Sequence, residues 1–473
     1  MTEQESAEMT PLSLQGLWWL PETPDDQETG TLTFDQVEGA RLSVMGRLAP
    51  LRAGPIGQGE EHDVIHGFTT TGKPVTLLKM FVVNSRLGFP GIATEVWHVN
   101  TIAIGAHFKS SDEALFRRSW VRFDGIARWL AHDPFVETYD HDARTTELIA
   151  RKPARMELGA ITGATVYTGS SLASGRDGNE CWKSTSEAMI AIDADEPQTL
   201  NWHFSESAKL RALAELIYGR PLHLTKLQVE LPGEPKAEGY PPYAEVEIHA
   251  QMIGGDDNLP PVNRPPMLTA PALLAAAPNA FAAWFAQYET LSASLHLLST
   301  VASDRQMFVN VRFLLATQAV ETFHREACPG TIVPDDEHAE IVEALTKAIP
   351  PNTIKEMREK LNSSLNYSNE PSLRQRLRSL IRLARDESDG AMPGYDRAFV
   401  NAVVDTRNHE THHGERPKNL LNGADMHWAN RRLVVLLTVL FLRRLGLDSE
   451  AINAMIASNR EFQTLWTTTV RPD

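Results

Sequence analysis

Hydrophobic and polar positions alternate along the first half of the chain and recur at helical spacing along the second. Ala40, Leu42, Val44 and Leu48 alternate with Arg41, Ser43 and Arg47. The cleanest case is Ala244, Val246, Ile248, Ala250 and Met252 against Glu245, Glu247, His249 and Gln251. Strict alternation marks strands with one wet face. Val75–Val83 and Val96–Ile104 are further β-rich stretches, with turn signals at Thr71–Gly72–Lys73 and Pro232–Gly233. A few helical turns are expected to interrupt these strands, for instance Ser207–Tyr218 before Gly219 and Pro221. Five prolines and two glycines then crowd the segment Gly254 to Pro271, a composition that makes a linker. Beyond it, helices are expected at Leu273–Tyr288, Phe308–Cys328, His338–Ala348, Ile354–Leu365, Leu373–Asp386, Tyr395–His413, Ala429–Leu445 and Ser449–Ser458. The pattern predicts a two-domain α+β chain. An antiparallel β-rich domain, a sandwich or an open barrel, spans residues 1–253, a linker 254–271, and an all-α domain 272–473.

Length and composition agree with this division. At 473 residues the chain exceeds one compact core. Its 42% hydrophobic and 22% charged content is that of an ordinary globular protein. The apolar run Leu433–Leu442 is half the length of a membrane span and is bracketed by arginines, so it reads as a core helix. The N-terminus is acidic and polar, which predicts no secretory signal. Two cysteines, Cys181 and Cys328, exclude a disulfide framework and a four-cysteine zinc site, and fit a reducing cytoplasm. The net charge of −16 speaks against nucleic-acid binding through bulk charge. It is unevenly spread, with −14 before Pro271 and −2 after it. A nucleic-acid site in the helical part therefore stays open.

That part holds one dense polar cluster, Asp405 to His413, at the end of a helix that Gly414 can stop. Exposed carbonyls at a helix end favour a cation, so His412 and His413 are expected to protonate readily. A histidine poised near neutrality serves as general acid or base. Arg407 carries a fixed charge on a planar fork that suits a phosphate. Asn408 shares a face with His412 at i, i+4 and can orient it. No carboxylate cluster of the kind magnesium prefers accompanies them. The set points to phosphodiester chemistry without a metal or other cofactor. Two alternatives remain at this stage. One is a solvated helix end. The other is a metal site built on His409 and His413 at i, i+4, with Asp405 and Glu410 nearby.

The run Arg407-Asn408-x-x-x-His412 resembles the R-x4–6-H motif of HEPN ribonucleases. The helix FLLATQAVETFHREA is similar to their glutamate-containing second helix. LQGLWWLPETP and VIHGFTTTGKPVTLL resemble the N-terminal domain of ApeA-type anti-phage abortive-infection proteins, which end in a HEPN nuclease. The resemblance implies an endoribonuclease that works as a homodimer or higher homo-oligomer. It also implies an RNA target, with tRNA a candidate, a phage-derived trigger and a sensing or regulatory N-terminal domain. Arg407 would hold the scissile phosphate and His412 would act as acid or base. A symmetric dimer supplies two copies of each. His413 is a second candidate for the reacting histidine, because R-x5-H also fits the motif. Glu321 is expected to fix Arg407 by a bidentate pair, or else to form a surface pair with Arg325. The segment LRQRLRSLIRLAR carries Arg374, Arg376, Arg378, Arg382 and Arg385 with no acid among them. These arginines are expected to cover the outer face of a helix as an RNA track, or simply to solvate it. The rival from another class is a non-catalytic HEPN-like module for dimerisation or partner binding, which has no need of both Arg407 and His412.

Overall fold

The structure, a computed structural model, describes residues 12–35, 38–48, 61–86, 90–178, 181–232, 244–251, 262, 264–303, 307–386, 394–412, 417–458, 462 and 465. The chain divides into two compact units. One comprises Met1–Tyr218 and Leu222–Leu274; the other comprises Gly219–Pro221 and Ala275–Asp473. The first is β-rich and antiparallel and the second helical, so the chain is a two-domain α+β protein. Of the proline-rich segment, residues 254–261 and 263 lie outside the described residues.

Six strands open the β-rich unit: β1 (Leu12–Trp19), β2 (Glu28–Asp35), β3 (Gly39–Met45), β4 (Glu61–Thr69), β5 (Pro74–Arg86) and β6 (Thr94–Ile104). They pair in the order β6-β3-β2-β1-β4-β5, and β5 pairs again with β6. The ring is therefore closed, rather than made of two facing sheets. Its inside is filled by Trp18, Leu32, Phe34, Leu42, Val44, Ile65, Leu77, Trp97, Val99 and Ile102. Inward residues alternate with outward ones, as the period-two pattern requires. Trp18 lies against the backbone of Gly67, where a Cβ would collide with the indole. Only glycine admits that approach.

Eight further strands follow. They are β7 (Leu115–Phe123), β8 (Phe135–Asp140), β9 (Thr145–Ala150), β10 (Glu157–Ile161), β11 (Ala164–Asp177), β12 (Cys181–Thr199), β13 (Leu224–Leu231) and β14 (Ala244–Ala250). A short helix α1 (Ile126–Trp129) and a long one, α2 (Leu200–Tyr218), interrupt them. β8 and β9 form a separate hairpin; the others extend the main sheet in the order β10-β11-β12-β7-β13-β14-β6. One edge of β6 carries β5 along its length. The other carries β3 over Thr94–Val99 and β14 over Thr101–Ile104. The histidines scattered in the sequence here pack against rings: His62 on Trp97, His66 on Trp19 and His98 on Phe81 across the β5–β6 pair.

α3 (Ala270–Ala276) spans the boundary between the units, and the helices of the second are α4 (Ala280–Ser303), α5 (Val309–Ala327), α6 (Asp335–Ala348), α7 (Lys355–Asn366), α8 (Leu373–Asp386), α9 (Arg397–His412), α10 (Gly423–Arg444) and α11 (Ser449–Ser458). The single helix expected over Leu273–Tyr288 is two. Pro278 lacks an amide hydrogen and pushes its predecessor out of helical geometry. α4 then continues to Ser303, burying Leu291, Leu295, Leu298 and Val301. α10 starts earlier than expected because Asn422 caps it, accepting from the amides of Ala424 and Asp425 at 2.9 Å each. The apolar run Leu433–Leu442 is buried except at Val434, and Phe441 meets Phe323 of α5 edge-to-face at 4.9 Å. Among the described residues no helix is long and apolar enough to cross a membrane. α6 and α7 bury no residue at all, and Ile341, Leu345, Ile354, Met357 and Leu361 are exposed along them.

Candidate active site

α9 begins at a cap, Asp396, whose carboxylate accepts the Phe399 amide at 2.8 Å. Its buried side is Phe399, Val400, Ala402, Val403, Val404 and Thr406, packed on α5 and α8. The Thr406 hydroxyl accepts the Leu421 amide at 3.0 Å, tying the returning chain to the helix end. The core-facing positions thus fix α9, and its last two turns are left to carry Arg407, Asn408, Thr411 and His412.

Arg407 is held on two sides. Its Nη2 donates to Glu321 Oε2 on α5 at 3.1 Å, and its Nη1 donates to Asn408 Oδ1 at 3.1 Å. The Arg407 side chain keeps 27% of its surface exposed and that of Glu321 keeps 15%. The structure therefore brings Arg407, Asn408 and Glu321 together. The pair with Glu321 is single rather than bidentate, because Glu321 Oε1 accepts Arg325 Nη2 at 3.2 Å. Both expected partners of Glu321 are present at once.

His412 is exposed and is the last residue of α9. It lies five positions after Arg407, about 140° around the helix and roughly 7.5 Å along it. Arg407 and His412 of one chain accordingly do not share a face, whereas Asn408 and His412 do. His413 and Gly414 lie outside the described residues. The acids invoked for a metal are otherwise engaged. Asp405 Oδ1 accepts Arg374 Nη2 at 2.8 Å, and Glu410 Oε2 accepts Asn310 Nδ2 at 3.4 Å. Among the described residues no three His, Cys, Asp or Glu side chains converge as a ligand set.

The arginine row on α8 requires a correction. Arg376 does not lie on the outer face: it is 4% exposed. It stands three residues after Leu373 and four before Leu380, on the same stripe as the buried Leu377, Leu380, Ile381 and Ala384. Its Nε donates to Pro371 O at 2.8 Å, its Nη1 to His324 Nδ1 at 3.2 Å and its Nη2 to Glu370 at 3.4 Å. Burial, and then the Arg376 charge, hold the His324 imidazole below its ordinary pKa, so it serves as a neutral acceptor. Arg374 is half-buried and bonded to Asp405 and Asn401, clamping α8 to α9. Arg385 is half-buried, while Arg378 and Arg382, one turn apart, are exposed. Sequence reasoning missed Glu370 and Asn401 as partners of these arginines: Asn401 is 27 positions from Arg374, and Glu370 precedes α8, six positions before Arg376 and outside the i, i+3 and i, i+4 pairs of a helix.

If the exposed arginines touch an RNA backbone, Arg378→Ala and Arg382→Ala should each flatten the salt dependence of RNA affinity. The expected change is about 0.7 in the slope of log K against log salt, the value for one single-strand phosphate contact. Arg376→Ala should instead lower the unfolding midpoint. Fluorescence anisotropy across a salt series and a denaturant melt separate the two outcomes.

Residues 13–253, over half of the chain, match the family model for ApeA N-terminal domain 1. The chain belongs to the ApeA family. Residues 314–451 match the Apea-like HEPN domain, a stretch that holds Glu321, Arg374, Arg407 and His412 of this ApeA-family protein. No curated protein and no solved structure matches it.

Proposed function

We propose that this ApeA-family protein is a metal-independent endoribonuclease of anti-phage abortive infection. It acts in the cytoplasm on RNA, with tRNA the candidate substrate, and the β-rich unit senses or relays a phage-derived trigger. The observation that carries the reading is the end of α9 inside the HEPN match: a half-exposed Arg407 held by Glu321 and Asn408, followed by the exposed His412.

The chemistry is transesterification. A base takes the proton of the ribose 2′-OH, the O2′–P bond forms, the P–O5′ bond breaks, and an acid returns a proton to the leaving O5′. His412 holds or moves that proton. Arg407 stabilises the charge that grows on the equatorial phosphate oxygens. Because the two side chains of one chain diverge around α9, a dimer is the economical way to bring both onto one phosphate. Across a two-fold axis, the arginine of one copy faces the histidine of the other.

The test is the identity of the RNA ends. Cleavage should survive EDTA and leave 2′,3′-cyclic phosphate and 5′-hydroxyl termini, and RNA bearing a 2′-O-methyl at the cut site should resist. Activity that vanishes on chelation and returns with zinc would reject the reading.

A further inference from the structure

Glu321 is shared between two arginines. Arg407 holds one of its oxygens at 3.1 Å and Arg325 the other at 3.2 Å. Arg325 Nη2 also stands 3.1 Å from Glu370 Oε2, which Arg376 Nη2 reaches at 3.4 Å. Arg407, Glu321, Arg325, Glu370 and Arg376 thus form a line of alternating charge. The buried Arg376 is fixed at its inner end by the Pro371 carbonyl and His324. At the outer end, Arg407 is the member the phosphate must recruit.

Recruitment is a competition. A phosphate draws Arg407 away from Glu321, whose side chain is only 15% exposed. With Arg407 as its sole partner, that carboxylate would be left poorly solvated and facing a second anion. Arg325 prevents this. It stays bound to the other oxygen, and its own place is kept by Glu370. We propose that Arg325 is a positioning residue that acts through Glu321, keeping the carboxylate neutralised so that Arg407 can turn to the substrate phosphate. The inference rests on Arg407 as the phosphate-binding group. It assigns to Arg325 a role beyond an ordinary i, i+4 surface pair.

The test is a charge-rescue cycle in the full-length protein. Arg325→Gln leaves Glu321 to Arg407 alone, and KM for RNA should rise about tenfold, within the usual coupling range of one ion-pair network, while kcat changes less. Arg325→Lys should retain most of the wild-type KM. The decisive variant is Glu321→Gln combined with Arg325→Gln. A neutral amide competes far less for Arg407, so KM should fall several-fold below that of Arg325→Gln, short of wild type because Arg407 has lost the carboxylate that holds it. A purely structural role for Arg325 predicts the opposite, with the double variant as impaired as Arg325→Gln or worse, and that result overturns the proposal. Arg325 is 53% exposed, so the variants should fold; thermal melts run alongside check this. Binding of 2′-O-methyl RNA, which cannot be cut, gives the same comparison without turnover. Arg407→Ala in the same assays serves as the reference. If it binds and cleaves like wild type, phosphate holding by Arg407 fails. If Arg407→Ala is impaired and the double variant is not rescued, only the role of Arg325 fails.

Discussion

His412→Ala should lower RNA cleavage by about 10²–10⁴-fold, the usual share of a general acid–base group. Arg407→Ala should lower it by about 10²–10³-fold, the loss seen when one transition-state charge stabiliser is removed. Neither change should unfold the protein. His412 is exposed, and Glu321 keeps Arg325 when Arg407 is gone. His409→Ala should cost little in rate, because His409 enters the chemistry only in a mechanism that pairs it with His413 on a metal. Rates on a defined RNA, together with unchanged melting curves, check all three. A large loss for His409→Ala beside a small one for His412→Ala would reverse the assignment.

The second large effect is complementation between two dead variants. If the arginine of one copy works with the histidine of the other, a mixture of Arg407→Ala and His412→Ala chains should regain activity. Random pairing makes half of the dimers mixed, and each mixed dimer holds one intact site of two, so about a quarter of the wild-type rate is expected. Dilution below the dimerisation constant should abolish activity for wild type and mixture alike. Rates measured after co-expression or subunit exchange decide it. A mixture no more active than its components would mean that Arg407 and His412 of one copy work together or that a single site uses both histidines, and full activity in a monomer would remove the dimer altogether.

What could be read from the amino-acid order depended on the range of the interaction. The alternation at Ala244–Ala250 and the heptad-like spacing in Leu373–Asp386 are local, and both elements are found there. The second half of α4 has the same kind of stripe, Leu291, Leu295, Leu298 and Val301, hidden among serines and threonines that favour turns and caps. Arg376 was legible in principle, since its spacing from Leu373 and Leu380 places it on the buried stripe. The link from Glu370 to Arg325 was not, because it depends on how α5 packs beside the start of α8. At α9 the arginine, asparagine and histidine could be picked out by type and spacing. The divergence of Arg407 and His412 around the helix was legible too, from their spacing of five positions; the hold of Glu321 on Arg407 was not, because it joins α5 to α9 across 86 positions. α6 and α7 show the converse limit: an amphipathic stripe identifies a helix without saying whether anything covers it.

The order of strands in the large sheet bears on how the chain emerges from a ribosome. All six strands of the closed ring, β1 to β6, are present once Ile104 has been delivered. They need nothing synthesised later to complete their pairing with one another. The next strands into the main sheet, β7 and β10 to β12, pair among themselves but not with the ring. What joins the two halves is the pair made last, β13 and β14, which inserts between β7 and β6 and sets Ala250 opposite Thr101. Until that hairpin is out of the exit tunnel, one edge of β7 and the end of β6 stand unpaired. Such edges invite pairing with other chains. A pause in translation before Ala250 is therefore the interval in which the nascent protein is most exposed to aggregation, and the one in which a chaperone would matter most.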